Sequence, residues 1–274
     1  MRNLIFATVC LLAGCQQQPP ANDQLDAVLW TQTSIEHELI YRQVFASATR
    51  QLDVALKTPD WDALPLPPRN LAGLPPAVIV DIDETVLDNI PLNARDIRNN
   101  QVYSYDRWNT WVDQAKAQAL PGAVAFLQAA RQKGITVYYI TNRENSQVQA
   151  TVDNLRLRGF PVDRNEQVLA AGTPIGHCEQ AGYGKDCRRQ WVASHARVLM
   201  QAGDSLGDFV QAEHNTLEAQ RKAAAPYLGW LGQRWFLLPN PTYGNWYSAP
   251  YGDQEKLPFE RKRQLKQQAL QLQN

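Results

Sequence analysis

Histidine is scarce in this chain, four in 274 residues, and His37, His177, His195 and His214 stand at no spacing that would let them share a metal. That excludes a histidine-built zinc centre. Net charge is absent too, with 27 basic against 27 acidic residues. No global field draws the protein to a nucleic acid polymer or an anionic surface, so any anion site must be local. The apolar segment Leu4 to Ala13 is too short to cross a bilayer. No internal repeat or low-complexity tract is present, which excludes a solenoid. Cysteine is limited to Cys10, Cys15, Cys178 and Cys187.

What stands at the start is one positive charge, at Arg2, followed by that short apolar segment, the pattern of a signal peptide over 1–14. Leu12-Ala13-Gly14-Cys15 matches the bacterial lipobox, in which cleavage precedes the cysteine and the cysteine is acylated. Several acyl chains on Cys15 would anchor the protein stably to a membrane. Gln16, where an aspartate would direct retention, resembles the sorting pattern of outer-membrane lipoproteins, facing the periplasm or the cell surface. Residues 15–24 read as a polar, proline-containing tether. Cys178 and Cys187 remain as one pair, in a glycine-rich stretch with little else to hold it. An oxidising compartment would allow a disulfide, and two free thiols are the alternative.

Along the rest of the chain, apolar residues from Leu25 to Leu56 recur at helical spacing and predict one long helix or two. A proline-rich segment, 59–76, reads as a linker. Strands are expected at 76–80, 135–140, 167–169, 198–201 and 235–238. Helices are expected from 105, over 121–133, 144–158 and 185–194, and at 255–272; Asn89 to Ser104 carries few apolar anchors and reads as irregular or as part of a cap. Alternation of this kind predicts an α/β fold with a parallel sheet flanked by helices.

Asp81 and Asp83 follow the first strand immediately, where open α/β sheets build their ligand crevices. Side chains two apart on a strand share a face, so the two carboxylates converge. Such a pair asks for a cation or for an acid/base division of labour. Three further polar signals lie past later strand or helix starts: Thr141, Lys185, and Asp204 with Asp208.

Taken in order, these four motifs resemble those of the haloacid dehalogenase superfamily. The finer stretches Asp81-Ile82-Asp83-Glu84-Thr85-Val86-Leu87-Asp88-Asn89, Trp108-Asn109-Thr110-Trp111, Gly203-Asp204-Ser205-Leu206-Gly207-Asp208 and Leu238-Pro239-Asn240-Pro241-Thr242-Tyr243-Gly244-Asn245-Trp246 resemble the bacterial class C nonspecific acid phosphatases, which are outer-membrane lipoproteins. The resemblance spans nearly the whole chain after the lipobox. It implies a Rossmann-like haloacid dehalogenase core over about 76–240, within a phosphatase domain of 25–274. A smaller helical cap would come from 25–58, parts of 89–120 and 250–272.

It also implies site roles: Asp81 as nucleophile, Asp83 as general acid and base, and Thr141, Asn142 and Lys185 as phosphoryl-binding groups. Mg²⁺ would be held by Asp81, Asp204 and the backbone carbonyl of Asp83, with Asp208 behind them orienting Lys185 or a water. Trp108 and Tyr243 correspond to the family's substrate-stacking aromatics, with core packing as the alternative for both; Trp111 and Trp246 are assigned to the core. Arg188 and Arg189 could also face phosphate, and Arg143 could cap, pair with a carboxylate or touch substrate. The implied activity is Mg²⁺-dependent hydrolysis of phosphomonoesters such as nucleotides and aryl phosphates through an aspartyl-phosphate. Two rivals remain open: a nucleotide- or haem-binding lipoprotein without turnover, and a phosphotransferase using the same site. A homodimer is also left open.

Overall fold

The computed structural model describes residues 23–272, so the expected signal peptide, Cys15 and most of the tether lie outside the described residues. Its centre is a five-stranded sheet. In chain order the elements are α1 (Leu25–Thr33), α2 (Ile35–Lys57), β1 (Pro76–Val80), β2 (Leu87–Asp88), α3 (Ile90–Arg98), α4 (Tyr105–Asp113), β3 (Gln118–Ala119), α5 (Ala123–Gln132) and β4 (Thr136–Glu144). There follow α6 (Val148–Leu157), β5 (Val168–Ala171), α7 (Asp186–His195), β6 (Arg197–Gly203), α8 (Leu217–Ala224), β7 (Trp235–Leu237), α9 (Asn245–Ser248) and α10 (Phe259–Ala269). The sheet order is β5-β4-β1-β6-β7, and every pairing in it is parallel.

Period-two alternation in β1 builds two cores, one on each face of the sheet. Val78 and Val80 join Phe45 and Leu52 of α2, Phe126 and Leu127 of α5, and Leu155 of α6. Ala77 and Ile79 face the other way and pack with Val192 and Ala193 of α7. Burying each Val or Ile contributes about 1.5–3 kcal/mol, which is why an apolar run sits in the central strand.

Several elements decide between the expectations above or depart from them. Ser34 ends α1 and caps α2, its hydroxyl accepting from His37 N at 3.1 Å, so the N-terminal pattern makes two helices. The buried stripe of α2 is His37, Tyr41, Phe45, Ala48, Leu52 and Ala55, while Leu25, Leu29, Ile35 and Leu39 are exposed. Hydropathy alone picks the wrong face in the first turns because a histidine and a tyrosine carry it. The 59–76 segment is no free linker. Up to residue 75 its prolines keep it from becoming helix or strand, and Pro76 opens β1, yet Trp61, Ala63 and Leu64 are buried, and Trp61 Nε1 donates to Leu199 O at 2.7 Å.

Asn89 to Ser104 contains α3, started by Pro91 in its first turn and by Asp88 Oδ1 accepting from Ile90 N at 2.9 Å. Pro121 lies before α5, because Gly122 at φ +84° supplies the left-handed turn that opens the helix. Trp246 is 51% exposed rather than core, its indole donating to Asn240 O at 3.1 Å. No helix among the described residues is long and apolar enough to cross a membrane.

Candidate active site

The chain runs from β1 to β4 on one side and later returns to β6 on the other, which makes the carboxyl end of β1 a topological switch point. Three adjacent strands deliver polar residues there: β1 leads into Asp81 and Asp83, β4 carries Thr141 and Arg143, and β6 leads into Asp204. The DxD turn is tight. Thr85, Val86 and Leu87 all donate backbone N–H to Ile82 O, and Glu84 takes a left-handed φ of 54°. Glu84 Oε1 accepts from Asn89 N at 2.7 Å, and Tyr41 donates its hydroxyl to Glu84 O, so α2 pins the turn from below. Glu84 Oε2 is buried with no partner among the described residues, and burial raises this carboxyl well above its ordinary value.

Asp81, Asp204 and Asp208 bring carboxylate oxygens within 4.8 Å of one another. Burial, together with the neighbouring carboxylates, drives Asp81 well above the usual carboxylate range even though Lys185 opposes it. Asp204 is pushed up to about 6, first by burial and then by the charge of Asp208. Three hard oxygen donors so placed suit a divalent hard cation, and the raised proton affinities of Asp81 and Asp204 express the positive charge the site wants. Thr85, inside the motif, donates to Asp204 Oδ1 at 3.2 Å and so ties β1 to β6.

Lys185, at the N-cap of α7 and 6% exposed, donates to Asp81 Oδ1 and, at 2.7 Å, to Asp208 Oδ1. Burial works to lower its pKa, but the Asp208 and Asp81 charges outweigh burial and hold the ammonium charged. Asp208 Oδ2 accepts from Ser205 N at 2.9 Å, so one carboxylate both closes its own turn and seats the lysine. Gly203 permits this, since a Cβ there would fall 2.6 Å from Asp208 Cγ. The loop before Lys185 is closed by a Cys178–Cys187 disulfide and threaded by Arg188, which donates to Gly184 O at 3.1 Å and to Thr141 O. Arg188 and Arg189 are both buried on backbone carbonyls, Arg189 reaching Gly207 O at 2.7 Å, so neither faces phosphate.

β4 runs past Ile140 to Glu144, and alternation therefore turns Thr141 and Arg143 inward and Asn142 outward. Asn142 is exposed, its side-chain oxygen accepting from Arg188 at 2.9 Å. Thr141 caps no helix; its hydroxyl donates to Asp83 Oδ2 at 3.3 Å. Arg143 pairs with Asp83 at 2.8 Å.

Trp108, on α4, is half-buried beneath the Arg143 guanidinium, whose Cζ lies 5.7 Å from the ring centroid. Tyr243 is half-buried in the turn before α9, which Asn240 organises: its Oδ1 accepts from Tyr243 N at 3.3 Å and its Nδ2 donates to Asp204 Oδ2 at 2.8 Å. Each aromatic is thus one residue away from a carboxylate of the site. Thr85, Asn89, Arg143 and Asn240 all hold these carboxylates, and two of the four, Thr85 and Asn89, lie inside the same Asp81–Asn89 motif as the DxD carboxylates.

A family model described as "HAD superfamily, subfamily IIIB (Acid phosphatase)" matches residues 15–246. The chain is 30% identical to the class C acid phosphatase of Bacillus anthracis solved with tungstate bound, at TM-score 0.80 over 92% of this chain and 98% of that one. A second structure of the Bacillus anthracis protein gives 31% identity with the same TM-score and coverage. "Acid phosphatase 1" of Solanum lycopersicum is 26% identical over 165 residues, 60% of this chain, and the match spans 57% of that relative's length.

Proposed function

The chain belongs to subfamily IIIB of the HAD superfamily, the acid phosphatases, and on that premise we propose that it is a Mg²⁺-dependent phosphomonoesterase acting on nucleoside monophosphates and aryl phosphates through a phospho-Asp81 intermediate. The observation that carries the reading is the convergence of Asp81, Asp204 and Asp208 with Lys185 at the carboxyl ends of β1 and β6.

The division of labour follows from surroundings. Asp81 presents a carboxylate nucleophile, flanked by an ammonium that can follow the phosphoryl oxygens. Its Oδ attacks phosphorus, the ester P–O bond breaks, and Asp83 gives its proton to the departing oxygen. Water then attacks phosphorus, Asp83 takes the water's proton, the bond to Asp81 breaks and phosphate leaves. Lys185 and Thr141 offset and orient the phosphoryl oxygens, as phosphoryl transfer demands positioning above all. Asp81, Asp204 and the Asp83 carbonyl would hold Mg²⁺, which when bound supplies the charge that lets the carboxylates and a phosphoryl group share one small volume.

The test is phosphate release from a panel of nucleoside monophosphates and aryl phosphates with Mg²⁺ present, run on wild type and Trp108→Ala. Release from the panel is expected, and its absence would remove the phosphatase reading. If Trp108 stacks on the leaving group, its truncation raises KM for nucleotides by about tenfold, from about 1–3 kcal/mol of base–aromatic contact. An unchanged KM assigns Trp108 to packing alone.

For location, the lipobox at Cys15 supports attachment to the outer membrane. Cys15→Ser is expected to shift the protein from the membrane to the soluble fraction of its natural host. Retention in the membrane would count against the anchor.

A further inference from the structure

The two oxygens of Asp83 have unequal surroundings. Oδ1 accepts from Arg143 Nη2 at 2.8 Å, from Asn89 Nδ2 at 2.9 Å and from Arg143 Nε at 3.0 Å. Oδ2 accepts from the Thr141 hydroxyl, at a long 3.3 Å. A carboxylate oxygen carrying three donors has no room left for a proton, whereas its neighbour has.

The donors themselves are fixed. Trp111 Nε1 donates to Asn89 Oδ1 at 2.7 Å, and since an indole can only donate, the other end of the amide must turn its hydrogens toward Asp83. Asn89 is 1% exposed and Arg143 2%. Arg143 spends its remaining nitrogen on Thr151 Oγ1 at 3.2 Å.

We propose that Arg143 and Asn89 are positioning residues: by saturating Oδ1 of Asp83 they make Oδ2 the seat of the transferred proton and turn it toward Thr141, where the phosphoester lies. The inference rests on the reading of Asp83 as proton carrier. As the Asp81–phosphorus bond forms, the ester P–O bond breaks, its electron pair stays on the ester oxygen, and the Oδ2 proton passes to that oxygen. In the second half Oδ2 receives a proton from the attacking water, and the cycle closes with no other reactant.

A buried ion pair kept only for stability would serve every substrate alike. A residue that aims the proton matters in proportion to how badly the leaving group needs one. A nitrophenolate departs as a stable anion, whereas an alkoxide must be protonated as it leaves. The experiment is therefore kcat/KM for p-nitrophenyl phosphate and for glycerol phosphate, each measured on wild type and variants with Mg²⁺.

Arg143→Ala is expected to lower the alkyl ester's kcat/KM by about 100-fold, with the loss in kcat, and the aryl ester's by less than about 10-fold. Arg143→Lys, which keeps the charge but not the parallel donors, should recover part of the alkyl loss. Asn89→Ala, which leaves the guanidinium in place, should bias the two esters in the same direction by a smaller factor. In an Asp83→Asn background, Arg143→Ala should cost nothing further, because Arg143 acts through Asp83. Equal fractional losses on both esters, or additive losses in the double variant, would overturn the proposal while leaving the phosphatase reading in place. A wild type that hydrolyses neither ester would overturn both.

Discussion

Asp81→Asn is expected to reduce the rate of phosphate release by a factor on the order of 10⁴ to 10⁶, the loss found when an enzyme is deprived of a member of its nucleophilic apparatus. The substitution is nearly isosteric. The amide would keep the volume between Lys185 and the DxD turn, and it would relieve rather than create buried charge, since Asp81 is 7% exposed and crowded by Asp204 and Asp208. What is lost is the oxygen that can bond phosphorus and then release it. The measurement is kcat in steady state beside thermal unfolding. Turnover within tenfold of wild type would remove Asp81 as nucleophile, and because the fold does not need its charge, an unfolding temperature close to wild type is expected with the activity gone.

Withdrawal of the metal is the second large effect. EDTA is expected to bring activity to background and Mg²⁺ to restore it. Binding should also register in stability: an ion present at 100 times its Kd stabilises by about 2.7 kcal/mol, which raises the unfolding temperature of a chain this size by about 5–10 °C. Asp204→Asn should abolish that rise. The pH dependence has a definite sign. Burial, with the charge of Asp208, pushes Asp204 in the folded protein up to about 6 from an ordinary value of 3.8. Between those values the native metal-free protein holds more protons than the unfolded chain, so its stability falls as pH rises through the window. A cation competes with those protons, so Mg²⁺ affinity should weaken as pH drops below about 6. Activity and melting temperature indifferent to both EDTA and Mg²⁺ would leave the acidic cluster without a cation.

The sheet is legible in the sequence because a parallel core forces apolar residues onto both faces of a strand, and the Pro76–Val80 run carries that signature almost alone. The acidic motifs are legible because charge directly after such a run has no packing reason to exist. What escapes is the scaffolding of the site. Arg143 stands inside a strand that continues past its apolar run, and only that extension places it on the same side as Thr141. Arg188 and Arg189 cannot be separated from phosphate ligands by charge, because what decides is the carbonyls that surround them, brought in from Thr141, Gly184 and Gly207. His37 and Tyr41 are passed over for exposed leucines, since amphipathic reading weighs residues by hydropathy and these two bury their rings in tilted contact, centroids 4.7 Å apart.

The cross-link between Cys178 and Cys187 has a bearing on how the protein is handled. The nine-residue separation encloses Lys185 and none of the sheet. Chain produced where thiols stay reduced is expected to assemble β1 to β7 and the cores on both faces, to which the segment between the two cysteines contributes nothing, and to leave the loop that carries the ammonium without its cross-link, held by Arg188 and by the Lys185 ion pairs. A soluble, well-folded preparation from a reducing cytosol is thus a poor judge of this protein, because the bond that such a host withholds serves the lysine rather than the fold.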